Sequence, residues 1–429
     1  MTTRATLRPL VTTVFIPSAV FGIGQGAGAP VIALLARDLG ASVAVAGTIV
    51  ALLGLGCVLG DLPAGRVVAR FGERRSIVVG STVGALGVAL CLVAWTPAVL
   101  AIGAVLSGFS TAVWGLARQS YLAEVVPIEM RARAMATFAL MWRLGFFVGP
   151  FLGALVILGA GTRGGFIVQL VGIVVSGYLM ARVPDPPRAH GVTPGGVSLG
   201  TILRRHRALL ATLGTGSLLM GAARAGREAV LPLWAHHIGL DAASASLIFG
   251  VGAAFDLLCS YPAGQLMDRY GRRSIAVPSL LVIAVSYVAL PFTDDFWTLT
   301  VSAVVMGIGN GFGNGLIMTL GADVAPPATR VEFLAAWRLT HDAGMFLGPL
   351  AVGAAATIAP LAVAVAGLGL VSTIGGGFMY RYIPRFVPWP PPLDERRPPC
   401  SGGGRAAVGS VSSQSNGIQI GPSQNPQPW

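Results

Sequence analysis

Nine ionisable residues sit inside long apolar stretches of the chain: Asp61, Arg118, Arg143, Arg224, Arg227, Glu228, Asp256, Arg338 and Asp342. Facing lipid at mid-membrane, each would oppose insertion by about 2.5–3.5 kcal/mol, so they must face one another or a wet cavity. Carboxylates and guanidiniums held in this way can exchange an internal ion pair for a proton or for a charged group of a solute. Arg224, Arg227 and Glu228 share one helical face at i, i+3 and i+4, and Arg338, His341 and Asp342 do the same. Each trio is either such an exchange site or a permanent structural bridge. Asp256 lies near the middle of its stretch with no arginine within one turn, which makes it the first choice for carrying a proton, followed by Asp61, Asp342 and Glu228. Arg118 has no carboxylate within a turn and either holds an anionic solute group or pairs across helices. Arg143 is a partner for Asp61 or Asp342.

No enzyme chemistry competes with this reading. The sequence has no nucleophile–base constellation and no Gly-Lys-Ser/Thr phosphate loop. All 29 basic residues are arginine, so a self-contained Walker-type motor is excluded. Cys57, Cys91, Cys259 and Cys400 have no metal-ligand spacing, and neither a metal site, a disulfide nor a cofactor is expected.

The elements that position these residues are membrane spans. Of 429 residues, 54% are hydrophobic and 11% charged, against about 25% charged in soluble domains. Twelve apolar segments fall at about 10–36, 42–66, 76–96, 98–122, 134–160, 164–182, 208–234, 242–266, 274–293, 297–321, 332–358 and 360–381, each near spanning length. The first is too long for a signal-peptide core. Arginines crowd the loops on the side of both termini, and Arg37 and Arg163 are the exceptions, so both termini are expected in the cytoplasm. The net charge of +12 is spread over short loops in this pattern, which argues against nucleic-acid binding.

The chain repeats at an offset of 199 residues. Ala104–Gly108 maps onto Ala303–Gly307, Pro63-Ala64-Gly65 onto Pro262-Ala263-Gly264, Glu124 onto Asp323, and Gly149-Pro150 onto Gly348-Pro349. This predicts an all-α membrane protein of twelve transmembrane helices in two pseudo-symmetric six-helix bundles, with the solute site between them. The bundles are residues 1–182 and 208–385, joined by a cytoplasmic linker over 183–207 and followed by a disordered cytoplasmic tail over 386–429.

Two motifs carry a resemblance. Gly264-Gln265-Leu266-Met267-Asp268-Arg269-Tyr270-Gly271-Arg272-Arg273 is similar to the loop signature G-x-L-x-D-R-x-G-R-R of the major facilitator superfamily. Its first-half counterpart keeps Gly65, Arg70, Gly72 and Arg74 but has Ala69 in place of the aspartate and an added Glu73. Gly145-x-x-x-Gly149-Pro150-x-x-Gly153 resembles the G-x-x-x-G-P-x-x-G element of the drug:proton antiporter branch, and Gly344, Gly348, Pro349 and Gly353 repeat it. The resemblance implies that spans one, four, seven and ten line the cavity, so Gln25, Trp114, Asn310 and Asn314 join Arg118, Arg224 and Arg227 there. Spans two, five, eight and eleven would form the half interface, with Arg143, Gly145, Gly149, Pro150, Arg338, His341, Gly348 and Pro349. Glu124 and Asp323 would pair with the loop arginines. The nine intramembrane charges avoid spans three, six, nine and twelve, the outer set of that family.

The expected function is secondary active transport in the cell membrane by a monomer, as proton-coupled export of small or drug-like molecules through alternating access. A proton-coupled uptake permease for a nutrient or anion is the alternative of the same class, and a non-transporting scaffold or sensor is the alternative from another. The expected partners are a small-molecule substrate, protons and the lipid bilayer.

Overall fold

The structure is a computed structural model that describes residues 10–126, 128–182, 199–326 and 329–387. Helices and short turns account for these segments. The first half comprises α1 (Ile16–Asp38), α2 (Val43–Phe71), α3 (Glu73–Val93), α4 (Pro97–Val125), α5 (Ile128–Ala160) and α6 (Gly164–Ala181). The second comprises α7 (Thr215–His237), α8 (Ala242–Tyr270), α9 (Arg273–Ala289), α10 in two pieces (Phe296–Phe312 and Leu316–Val324), α11 (Arg330–Ala355) and α12 (Leu361–Phe386). Eleven of these spans are long and apolar enough to cross a membrane. The twelfth, α11, is diluted by Arg338, His341 and Asp342, and it packs against α2 and α7. Of the expected linker, 199–205 forms a short helix, Leu199–Arg205, while 183–198 and the tail beyond 387 lie outside the described residues.

The duplication extends to individual bonds. The chain enters each half through a π-helical turn, at Val11–Phe15 and at Leu210–Gly214. Ser42 and Asp241 cap the N-termini of α2 and α8, and Thr96 and Asp295 those of α4 and α10, each accepting a backbone N–H three residues on. Gly72 and Gly271 end α2 and α8 at φ +82° and +86°, a conformation that a side chain would strain. Within each half, α1 packs on α5 and α6, α2 on α4, and α3 on α4 and α6; α7 to α12 repeat these neighbours in the same order. A Cβ on Gly145 would meet the Ala19 carbonyl oxygen and one on Gly344 that of Leu218, which is the same close approach in both copies. Gly108 against Leu53 and Gly307 against Gly252 form a second such pair.

The halves meet along two seams. On one, α2 runs antiparallel to α11, with Gly47 against Gly353, Gly54 against Phe346 and Asp61 against Arg338, a step of two helical turns each time. On the other, α5 meets α8, where Gly250 touches Pro150 and Phe151. α1 also packs on α7, whereas no comparable packing joins α4 to α10 among the described residues. One feature departs from the sequence expectation of a continuous tenth span. α10 breaks at Gly313–Gly315, where Gly315 takes φ +79°, and at the break the Gly313 carbonyl accepts both the Leu316 N–H and a side-chain donor.

Candidate functional site

Between the halves lies a cavity of about 180 Å³ lined by α5, α7, α8, α10 and α11. Asp256 on α8 stands at its wall. The carboxylate faces Arg227 of α7 at 3.6 Å and accepts hydrogen bonds from the side-chain amides of Asn310 and Asn314. The two asparagines sit one turn apart on α10, so both amides reach the same carboxylate. Their oxygens turn the other way and accept from Arg224, from Nε to Asn310 at 2.7 Å and from Nη2 to Asn314. Arg224 also donates to the Gly313 carbonyl at the helix break, at 3.3 Å. The asparagine layer thus separates a guanidinium from a carboxylate and satisfies both.

Ser260, one turn beyond Asp256, extends the network. Its hydroxyl donates to the Asp256 backbone oxygen at 2.6 Å and accepts from Asn314 at 2.7 Å and from Arg143 Nη1 at 2.9 Å. Arg143 comes from α5, so this last bond crosses between the halves. Arg227 is 5% exposed, and its Nε and Nη1 have no partner. Its guanidinium lies 5.3 Å from the Phe249 ring. Glu228, His341, Trp142, Phe146 and Met345 complete the wall; Trp142 and Phe146 stack at 5.3 Å.

A second cluster lies at the α2–α11 seam. Arg338 pairs with Asp61 across the halves at 3.3 Å and with Asp342 on its own helix at 3.2 Å. The Arg338–Asp342 pair is the one whose i, i+4 spacing is visible in the sequence. Arg143 goes to Ser260 rather than to Asp61 or Asp342, and Arg227 pairs with Asp256 instead of with Glu228 on its own helix.

Gln25, Trp114 and Arg118 do not reach this cavity. Arg118 is fully buried in the first half, where Nη2 donates to the Val14 carbonyl in the π turn and to Ser18. Its guanidinium is flanked by the rings of Trp114 at 4.1 Å and Phe138 at 4.7 Å. Trp114 stacks on Phe21 at 3.8 Å and donates to Ser81, and Gln25 donates to Thr111. Gly145, Gly149 and Gly348 face α1 or α7 of their own half, while Pro150 and Pro349 lie at the seams.

In the second-half loop, Arg272 bridges Asp323 at 2.9 Å and Asp268 at 3.6 Å. Arg269 is exposed, and Gly264 has open space around it. The first half inverts the charge at this place: Glu73 stands at the position equivalent to Arg272 and accepts from Ser120 at 2.9 Å. Arg70 and Arg74 are exposed there, Gly65 lies within α2, and Glu124 lies in the last turn of α4.

The profile of the Major Facilitator Superfamily matches residues 14–255 and 213–416. YddS of Bacillus subtilis, an uncharacterized transporter of that type, is 26% identical over 74% of this chain and 78% of its own length. The multidrug resistance protein MdtH of Cronobacter sakazakii is 23% identical over 66% of this chain and 70% of its own. Among solved structures, the nucleoside transporter NupG superposes with a TM-score of 0.70 at 15% identity, covering 86% of this chain and 98% of that one. The matched profile, the twelve helices and the duplicated halves lead to one assignment: the chain belongs to the Major Facilitator Superfamily of multi-pass membrane transporters.

Proposed function

We propose that the chain is a proton-coupled secondary transporter working by alternating access, with Asp256 as the coupling carboxylate and the cavity beside it as the solute site. The observation that carries this reading is the Arg227–Asp256 pair on the cavity wall. A proton on Asp256 removes the charge that holds Arg227 and leaves that guanidinium for the solute. Proton and solute then load together and move in the same direction, which under an inward proton gradient is uptake. The arginine bias of the loops supports placing both termini in the cytoplasm, with the protein working as a monomer in the cell membrane.

Export of small or drug-like molecules is the second reading, and the resemblance to MdtH favours it. It requires proton and solute to compete, so the two readings differ in sign. The test uses proteoliposomes with a pH dye inside and membrane-impermeant solutes added outside. Co-transport acidifies the lumen and exchange alkalinises it, and Asp256→Asn is expected to reduce either signal at least about tenfold. Coupled flux at the wild-type rate in Asp256→Asn would remove Asp256 from the mechanism. Solute uptake with no proton movement would remove the coupling itself.

A further inference from the structure

The charges around the cavity do not balance, and the imbalance has a specific shape. Three guanidiniums, Arg143, Arg224 and Arg227, face two carboxylates, Asp256 and Glu228. With the His341 ring counted as neutral, the wall itself carries one positive charge in excess, while the neighbouring α2–α11 cluster sets two carboxylates against Arg338 alone. Arg227 and Asp256 compensate each other. Among the described residues, the hydrogen-bond acceptors of Arg224 are all neutral oxygens, those of Asn310, Asn314 and Gly313, and that of Arg143 is the Ser260 hydroxyl. These two guanidiniums are joined through Ser260 and Asn314, so two like charges share one polar bridge. A third set of donors, Nε and Nη1 of the buried Arg227, has no acceptor at all. Unmatched buried guanidinium donors are costly to leave without an acceptor, and the group that satisfies them best is a planar anion taking two parallel N–H bonds.

The rest of the wall sets shape and size. Trp142 and Arg143 are adjacent on α5 and Phe146 follows one turn later, so flat ring faces border the guanidinium that has no carboxylate partner. The volume of about 180 Å³ is below the roughly 300–1,000 Å³ of pockets that take drug-sized ligands. We infer that the solute is a small planar monoanion, an aromatic carboxylate in chemical class, whose carboxylate is held by Arg143 with Arg224 and Arg227 and whose ring lies against Trp142 and Phe146. This inference rests on the cavity being the solute site proposed above. It specifies what that reading leaves open, the charge and shape of the solute.

The test is equilibrium binding to the purified full-length chain in detergent at neutral pH, followed by tryptophan fluorescence. Benzoate is the probe, benzamide the neutral isostere and benzylamine the cation. Benzoate is expected to bind at least about tenfold tighter than either of the others. Arg143→Gln should weaken benzoate at least about tenfold and leave benzamide unchanged, while Arg143→Lys keeps most of the preference. Equal binding of benzoate and benzamide, preference for benzylamine, or absence of saturable benzoate binding would each overturn the inference. The wild-type comparison alone decides this if Arg143→Gln does not fold. Proton-coupled flux of neutral or cationic solutes in liposomes would leave the transport reading standing while the anion assignment falls. Benzoate binding that depends on Arg143, without any solute flux, would do the reverse.

Discussion

The Arg338–Asp61 pair is the place where a single substitution should shift the balance between the two faces of the transporter. It joins α11 to α2 at 3.3 Å, at the last contact of a seam whose earlier contacts are glycine packing. At an effective dielectric of about 20, two charges at that distance attract by roughly 5 kcal/mol. Much of this is offset, because the Arg338 side chain is 37% exposed and keeps Asp342 at 3.2 Å when Asp61 is lost. The net effect of Asp61→Asn is therefore about 1–2 kcal/mol, a change of roughly five- to thirtyfold in the equilibrium. It should favour states in which the seam has parted at that end. Asp342→Asn is the control, because Asp342 and Arg338 ride on one helix and their pair is unchanged by movement of the halves. The assay places spin labels at Val125 on α4 and Tyr270 on α8, both exposed, in a background without the four native cysteines. Asp61→Asn should enlarge the long-distance population while Asp342→Asn leaves it in place. An unchanged distribution in Asp61→Asn, or an equal shift in Asp342→Asn, would refute the latch.

Two further outcomes follow from the loop between α8 and α9. Gly271→Ala forces a side chain into φ +86° and should cost about 1–3 kcal/mol, seen as a lower melting temperature in detergent, whereas Gly264→Ala seven residues earlier meets open space and should cost nothing. Arg272→Gln removes the 2.9 Å pair with the exposed Asp323 and should cost about 0.5–1 kcal/mol in low salt. The difference from wild type should shrink in unfolding experiments at high salt, and a salt-independent difference would assign Arg272 a packing role instead.

The fold was legible because its signals are local. Spanning length, arginine bias and a fixed offset are all read along the chain, and the same offset reappears in the helix caps, the positive-φ glycines and the closest helix crossings. A departure from the repeat is also visible: Glu73 puts an acid at the position equivalent to Arg272, and the structure shows it accepting from Ser120. The break in α10 was not legible, since Gly313 and Gly315 are two glycines among 59 and nothing in composition separates a helical glycine from a left-handed one.

The candidate site was legible residue by residue and obscure in its pairing. Spacing along one helix finds i, i+4 neighbours, and it found Arg338–Asp342. It also made Asp256 look isolated, because its partners Arg227, Asn310 and Asn314 arrive from two other helices whose rotation no single-helix pattern encodes. The same blindness leaves Arg224, Arg227 and Glu228 as one trio on a shared face, when the structure turns Arg227 to Asp256 on α8. Ser260 shows what signal was available. It is the symmetry mate of Asp61, and where the first half puts a carboxylate against Arg338, the second puts a hydroxyl against Arg143. The two seams therefore carry cross-half contacts between corresponding helices, from arginines at different positions of the repeat: Arg338 is neutralised by a carboxylate, and Arg143 is bound to a hydroxyl. Duplication built the helices twice, and divergence at 61/260 and at 143/342 left Arg143 with a hydroxyl rather than a carboxylate as its hydrogen-bond partner beside the cavity. With Asp at 260, as at 61, Arg143 would face a carboxylate instead of a hydroxyl. Ser260→Asp should accordingly abolish the preference for benzoate over benzamide while leaving the fold intact, and an undiminished preference in that variant would show that the anion is not drawn by Arg143.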